Sequence, residues 1–377
     1  MDKIRILFIH DSLVCGGAEQ ALYDLMRLLD PEKFETAVLV QKPGNVWDEK
    51  FREAGLQVVY DYSCRQPTWN PVKKAENVVR KMRTQKAYRK NGEGLLEACY
   101  PQGADIVVSY SMWDYPLCGF LPGAKTVKFI HGNMDTDPAF RELILRDREL
   151  LPRYDRIVCV SENARKAFMN ATGRTEGVET HFNPINSDRI RSLACEPVEL
   201  PTDKPMVCAV GRLSSEKGFE RLIVQHKRLV EEGTDHYLVI VGDGPDRDYI
   251  ARTVRAMDAQ NTVILAGYQA NPYPYMKQSR MVVCPSYTEG LSVIALESLC
   301  LGVPVVSTVP SVGEMFDGES CGIVTENDNE SLRNAMRRML TDQVFYSGCK
   351  AGAECRGDVF TGKYMVKELE DMFAGLV

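Results

Sequence analysis

Long apolar runs are missing from this chain. It nowhere approaches the ~18 uninterrupted apolar residues that a membrane-spanning helix needs. No secretory leader is expected either: the apolar run IRILFI at positions 4–9 is followed at once by His10, Asp11 and Ser12, too short for a signal core. These absences predict a cytoplasmic protein, free or lying peripherally on the cytoplasmic membrane face. An excess of positive charge is missing, and the net charge of −6 argues against general nucleic-acid binding. Metal-like cysteine spacing is missing too. None of the 12 cysteines forms a Cys-x-x-Cys pair, and no Cys/His cluster has zinc spacing. Cys159, Cys208 and Cys284 lie inside strand-like runs, so the cysteines read as reduced core residues. Finally, there is no dinucleotide fingerprint. The nearest match is Gly242-Asp243-Gly244-Pro245-Asp246-Arg247, with Arg247 in place of the third glycine, so an oxidoreductase loses its main support.

What is present is the composition of a folded protein, 44% apolar and 26% charged over 377 residues. That length is too great for one core and predicts two domains. Strand-like runs alternate with helical patterns. In the first half they are Arg5–His10, Thr36–Gln41, Gln57–Tyr62, Asp105–Tyr110, Thr126–His131 and Arg156–Ser161. In the second they are Val207–Val210, Tyr237–Val241, Val263–Gly267, Met281–Pro285, Val303–Ser307 and Gly322–Thr325. Between them, Ala18–Leu29 and Phe219–Glu232 carry leucines and other apolar residues at helical spacing. This alternation predicts an α/β protein with doubly wound parallel sheets. The pattern pauses near Thr180–Lys204, where Pro184, Pro197, Pro201 and Pro205 cluster. The expected domains are therefore 1–185 and 186–359, two Rossmann-like units facing each other across a cleft, with ligands beyond the strand carboxyl ends.

Three loops at such strand ends carry candidate chemistry. DSLVCGGAEQ precedes the first helix, and Gly16 and Gly17 let backbone approach a ligand beside a helix N-terminus; a tight strand–helix turn is the alternative. GRLSSEKGFE follows Val207–Val210. Arg212 and Lys217 there suit a diphosphate, one as a fork and one as a point charge, with a solvated turn as the alternative. SYTEGLS follows Met281–Pro285, and Gly290 and Leu291 fall where a helix begins, offering N–H groups to a phosphate. Glu289 precedes them. Glu297 lies two turns further on, about 12 Å at ~1.5 Å per residue. A carboxylate inside an apolar helix needs partners; ribose hydroxyls or a structural Arg or Lys would supply them.

GGAE, GRLSSEKG, GYQANPYPYMKQSRMVVCPS (267–286) and EGLSVIALE, in that order over nearly the whole chain, resemble the retaining glycosyltransferases of family four. The resemblance implies the GT-B fold, a nucleotide diphosphate sugar as donor, and retention of configuration without metal. It implies that Arg212 and Lys217 hold the diphosphate and that Glu297 binds the ribose. Glu289 would face the donor sugar, and Gly290 and Leu291 would offer N–H groups to phosphate or sugar. Gly16 and Gly17 would approach the β-phosphate or the acceptor, Gly267 and Tyr268 would lie near the base, and His131 near the anomeric carbon. It also implies that the C-terminal helix, 360–377, crosses back onto the first domain. Glu19 fits a helix cap as well as an acceptor contact. Asp135-Thr136-Asp137 has the form of a metal motif from another glycosyltransferase fold, and no metal is expected there.

Residues 73–90 hold eight basic residues, Lys73, Lys74, Arg80, Lys81, Arg83, Lys86, Arg89 and Lys90, against Glu76 alone. Ala75, Val78, Val79 and Met82 form an apolar stripe, flanked by Trp69 and Tyr88. A basic amphipathic helix can lie on anionic lipid, or pack its stripe on its own domain. The expectation is a hexosyl or N-acetylhexosaminyl transferase using a UDP-sugar and a glycan acceptor, lipid-linked, in bacterial surface polysaccharide assembly. Rival readings are a GT-B transferase with a soluble acceptor and a catalytically silent nucleotide-sugar-binding scaffold.

Overall fold

The computed structural model describes residues 2–14, 16–42, 44–60, 70–89, 99–111, 123–201 and 203–377, and in the helix Pro71–Arg89 the side chains up to residue 79 and that of Met82. The chain divides into two compact units, Met1–Pro184 with Val366–Val377, and Ile185–Met365.

The first unit is built on strands β1 (Ile4–His10), β2 (Phe34–Val40), β3 (Gln57–Tyr60), β4 (Ile106–Ser109), β5 (Lys125–Ile130), β6 (Arg156–Cys159) and β7 (Val178–Thr180). All pair in parallel, in the order β3-β2-β1-β4-β5-β6-β7. Helices cover both faces, so the central strands are apolar on both sides. Ile6 and Phe8 join Leu22, Leu25 and Val108 in one core. Leu7 and Ile9 join Val107, Ile130 and Ile157 in the other. The helix Gly362–Ala374 sends Val366, Leu369 and Phe373 into the first of these cores. Phe373 meets Phe8 edge-on at 6.4 Å, and Glu370 Oε1 accepts the Asp30 N–H at 2.7 Å. The sequence pattern shows six strands here and the structure seven. Val178–Thr180 is a three-residue edge strand, too short to carry a period of two.

The second unit holds β8 (Met206–Val210), β9 (Tyr237–Val241), β10 (Val263–Gly267), β11 (Met281–Cys284), β12 (Val305–Ser307) and β13 (Gly322–Val324). This sheet is also parallel, in the order β10-β9-β8-β11-β12-β13. Helix Phe219–Glu231 buries Phe219, Leu222, Ile223 and Leu229 against Val207, Ala209, Leu238 and Ile240. The short helix Val293–Cys300 has almost no polar face, with Ala295, Leu296, Leu299 and Cys300 all buried, as expected of a helix enclosed in a domain.

In both sheets the strand order reverses once, between β1 and β4 and between β8 and β11. Loops diverge at such a switch point and leave a crevice at the carboxyl ends of the strands. The nine described cysteines are free. Six are buried as the sequence suggests, but Cys195 and Cys355 are exposed and Cys99 is half-buried. Among the described residues no helix is long and apolar enough to cross a membrane.

Candidate functional site

The switch point of the second unit is formed by the loops after β8 and β11. Gly218 holds a left-handed φ of +67°, and a Cβ there would lie 2.1 Å from the Pro285 carbonyl oxygen. Only glycine satisfies both conditions, so the two loops run backbone to backbone. The Tyr287 N–H donates to the Glu216 carbonyl at 2.8 Å. The same close approach explains the failed fingerprint: a Cβ on Gly242 would lie 1.9 Å from the Gly211 oxygen. The glycines after β9 serve loop-on-loop packing.

This contact brings Lys217 and Glu289 together. The Lys217 ammonium donates to Glu289 Oε1 at 3.0 Å, with side chains 29% and 12% exposed. The Ser286 hydroxyl donates to the same oxygen. Burial works to lower the Lys217 pKa, but the charge and hydrogen bond of Glu289 outweigh it, and the net shift is upward. The amine is a fixed cation. Arg212, in the same loop, is exposed, and its side chain makes no ion pair among the described residues. Gly267 ends β10 and accepts the Gly242 N–H at 2.8 Å; Tyr268 follows, 58% exposed.

Gly290 and Leu291 were expected to begin the helix, but they are buried in the turn that precedes it. The helix begins at Val293 with Ser292 as its cap residue. The Ser292 hydroxyl turns inward to Cys284 Sγ at 3.5 Å and caps nothing, so the first N–H groups of the helix gain no side-chain acceptor from it. Glu297 is 4% exposed. Its Oε1 accepts the Tyr273 hydroxyl at 2.9 Å, a neutral partner where the sequence suggested a ribose or a cation.

The first unit's switch point is different. Asp11 follows β1 and accepts the Ser111 hydroxyl at 2.7 Å and the Lys42 ammonium at 3.2 Å. Lys128, 7% exposed, donates to Ser109 Oγ at 2.6 Å and to the Ser111 carbonyl at 2.8 Å. His131 follows β5, its ring 4.6 Å from Tyr110 and stacked at 5.8 Å on Phe129. Both of its ring nitrogens are buried without a hydrogen-bond partner among the described residues. Burial first, then the nearby His10 and Lys128, push its pKa down to about 3. His10 is 2% exposed, and burial lowers its pKa to about 4 against the pull of Asp11.

Gly16 caps the helix Gly17–Leu28. A Cβ there would lie 2.4 Å from Glu19 Oε2, so the carboxylate folds back over the cap. Asp135 and Asp137 have structural roles: Asp137 caps the helix Pro138–Arg146 by accepting the Phe140 N–H at 2.9 Å, and Asp135 lies 3.8 Å from Arg141. Among the described residues, no group of three or more His, Cys, Asp or Glu side chains could hold a metal.

Residues 194–354 match the family model of the glycosyl transferases group 1. The match lies within the second unit, which is thus similar to the glycosyl transferases group 1. A Campylobacter jejuni protein, N-acetylgalactosamine-N,N'-diacetylbacillosaminyl-diphospho-undecaprenol 4-alpha-N-acetylgalactosaminyltransferase, is 31% identical over 215 residues, 56% of this chain and 58% of that one. The lipopolysaccharide core biosynthesis glycosyltransferase LpsE of Rhizobium meliloti is 26% identical over 59% of this chain and 64% of its own. The chain thus spans about three fifths of the length of these two relatives. The structure of HepE from Anabaena in complex with UDP and glucose superposes with a TM-score of 0.76 at 17% identity, covering 98% of this chain and 99% of that one. The chain has the GT-B fold.

Within the matched region, Lys217, Glu289, Gly290 and Leu291 come from the two loops at one switch point, with Arg212 in the first of those loops. Glu297 lies further along the helix that follows, and Gly267 and Tyr268 end a strand two places away. Gly16, Gly17 and His131 belong to the other unit. Of the basic segment, Lys73 and Lys74 are exposed on the helix Pro71–Arg89, whereas the side chains of Arg80, Lys81 and Arg83, and Trp69 altogether, lie outside the described residues. Sequence reasoning missed Ser286, Tyr273 and Arg221. Ser286 had a signal, a hydroxyl three residues before Glu289. Arg221 had another, a cation in the first turn of a helix, where the dipole disfavours it.

Proposed function

We propose that the protein is a retaining, metal-independent glycosyltransferase that moves a hexose or N-acetylhexosamine from a UDP-sugar to a hydroxyl of a lipid-linked glycan acceptor in bacterial surface polysaccharide or glycoconjugate assembly. The observation that carries this reading is the Lys217–Glu289 pair, closed to 3.0 Å where the strand order reverses. The unit Ile185–Met365 would bind the donor, and the unit holding His131 would serve the acceptor.

In this reading Lys217 and Arg212 hold the diphosphate, beside the N-termini of the helices Phe219–Glu231 and Val293–Cys300. Fixed positive groups stabilise the charge that grows on a departing diphosphate. The bond from the anomeric carbon to the phosphate oxygen breaks, and a bond to the acceptor oxygen forms on the same face. The acceptor proton passes to the leaving phosphate oxygen. Both contacts of Glu289 fall on Oε1, so Oε2 is the oxygen offered to a sugar hydroxyl. A ribose at Glu297 shares or displaces the Tyr273 hydroxyl, and Tyr268 lies toward the base. HepE, solved with UDP and glucose, and the undecaprenol-linked acceptor in the name of the Campylobacter relative support the donor and acceptor classes.

The helix Pro71–Arg89 supports a peripheral membrane contact. Val72, Val78, Val79 and Met82 are 66%, 57%, 49% and 65% exposed, beside Lys73 and Lys74. A thermal-shift panel of nucleotide sugars tests the donor: stabilisation by UDP-sugars is expected, and none by any nucleotide sugar removes the reading. Flotation with anionic vesicles at low salt tests the helix, and absence of binding removes the membrane contact.

A further inference from the structure

We propose that Arg221 is a positioning residue that holds residues 285–287 so that Glu289 stays within reach of Lys217. The inference rests on the reading of Lys217 and Glu289 as donor-site residues. Arg221 is 4% exposed, the third residue of the helix Phe219–Glu231. A cation there meets the positive end of the helix dipole, and a buried charge is costly unless its donors are satisfied. Its donors are satisfied by the loop that follows β11 and by Thr308 and Asn327, which follow β12 and β13.

The guanidinium donates from Nε to the Pro285 carbonyl at 2.8 Å, and from Nη2 to the Ser286 carbonyl at 2.9 Å and Thr308 Oγ1 at 2.9 Å. Nη1 donates to Asn327 Oδ1 at 2.7 Å. Its Cζ lies over the Tyr287 ring, 4.0 Å from the ring centre. The two side chains it holds secure the same loop. The Thr308 hydroxyl donates to the Ser286 carbonyl at 2.7 Å, and the Asn327 amide to the Tyr287 carbonyl at 2.8 Å. Three consecutive carbonyls, of Pro285, Ser286 and Tyr287, are thus fixed by one arginine and its two partners.

Arg221 stands four residues after Lys217, across the Gly218 turn. Gly218 touches the Pro285 backbone with no room for a Cβ. The fork therefore spans from the helix that follows Lys217 to the loop that carries Ser286 and Glu289. A planar five-donor fork can hold several carbonyls at once; a lysine ammonium cannot hold them in that plane.

The other end of β11 supplies a control. Arg280 donates from Nε to the Met339 carbonyl at 2.8 Å and from Nη2 to Gln343 Oε1 at 3.0 Å, and stacks 3.7 Å from the Tyr346 ring centre. Its chemistry matches that of Arg221, but it precedes the strand and faces no donor-site residue.

The experiment compares full-length wild type, Arg221→Gln, Arg221→Lys and Arg280→Gln by hydrogen exchange, melting temperature, UDP affinity by calorimetry and UDP-sugar turnover. The expected result is exchange faster by about tenfold or more in 286–292 in both Arg221 variants, kcat down by about 10²-fold and UDP affinity within about threefold. Arg280→Gln should lose comparable melting temperature and keep kcat within about twofold. Unchanged exchange in 286–292, or a kcat loss no larger than that of Arg280→Gln, overturns the proposal. Faster exchange in a protein whose wild type turns over no nucleotide sugar upholds the loop-holding role and overturns the donor-site reading. If Arg221→Gln does not fold, Arg221→Lys, which keeps the charge and loses the fork, is judged by the same criteria.

Discussion

The two switch points differ in how completely their polar groups are paired. In the second unit, Lys217, Glu289, Ser286 and Arg221 hold one another directly or through backbone. In the first unit, Asp11 and Lys128 are partnered, but His10 Nε2, the Tyr110 hydroxyl and both nitrogens of His131 are buried without a partner among the described residues. Buried polar groups are rarely left so. The contrast teaches that one crevice is assembled around its own charges, whereas the other holds, beside the paired Asp11 and Lys128, neutral groups with no partner among the described residues.

The sharpest way to break that contrast is to remove its charges. Lys217→Ala and Glu289→Ala should each lower turnover of the UDP-sugar by about 10²-fold or more while the fold, checked by near-UV circular dichroism, survives. Near-normal rates in both folded variants would refute the assignment. A smaller loss, about 10-fold to 10²-fold, is expected for His131→Ala. Because burial holds the His131 pKa at about 3, the ring is neutral throughout pH 5–8. The wild-type pH–rate profile should then show no step from this residue in that window, and a step abolished by His131→Gln would contradict the neutral assignment.

Glu297→Ala should weaken UDP binding by about tenfold, read by calorimetry, since one charge-assisted hydrogen bond to the ribose is lost. Unchanged affinity would leave Glu297 with a structural role beside Tyr273. The smallest effect belongs to a third region, at the other end of the second sheet. His226 Nδ1 and His236 Nε2 lie 2.8 Å apart, with the Thr234 carbonyl beyond His236 and the Thr262 hydroxyl beyond His226. The carbonyl can only accept, so His236 carries its proton on Nδ1 and His226 donates across the pair. Burial lowers both pKa values, that of His226 to about 3. A depressed folded pKa means that the unfolded chain binds the proton first. Stability from this pair is complete above pH 6.5 and declines as pH falls toward 3. Melting temperature should drop along that window by a few degrees more in wild type than in His226→Gln, and identical slopes would remove the effect.

Much of this site was legible in the sequence. Glycines at a left-handed or crowded position, two cations after one strand and two carboxylates after another are local signals, because backbone strain and charge leave few residue choices. Gly218 and Glu289 are examples. The rest was not local. Tyr273 meets Glu297 from 24 positions away, and Arg221 reaches its loop across 64 and more. Arg221 is locally odd as a cation in a first helical turn, but nothing in its own segment names the loop it reaches, and Tyr273 carries no local signal at all. The helix was expected to begin at Gly290 and Leu291 and begins at Val293, because the tight turn after β11 buries those two residues ahead of the cap position at Ser292. The edge strand Val178–Thr180 escaped because pairing on one side places little demand on its side chains.

By itself the sequence determined the alternation of strands and helices, the pause near Pro184, and the residue types at each strand end. Those follow from hydrophobic period and from the backbone freedom of glycine, which act over a few neighbouring residues. Only the tertiary structure decided which charges meet. Lys217 and Glu289 lie 72 residues apart in the chain. They touch because β8 and β11 are adjacent in the sheet while β9 and β10 lie on the other side. Strand order is set by the packing of whole helices on both faces, a sum over many weak contacts that no single segment contains.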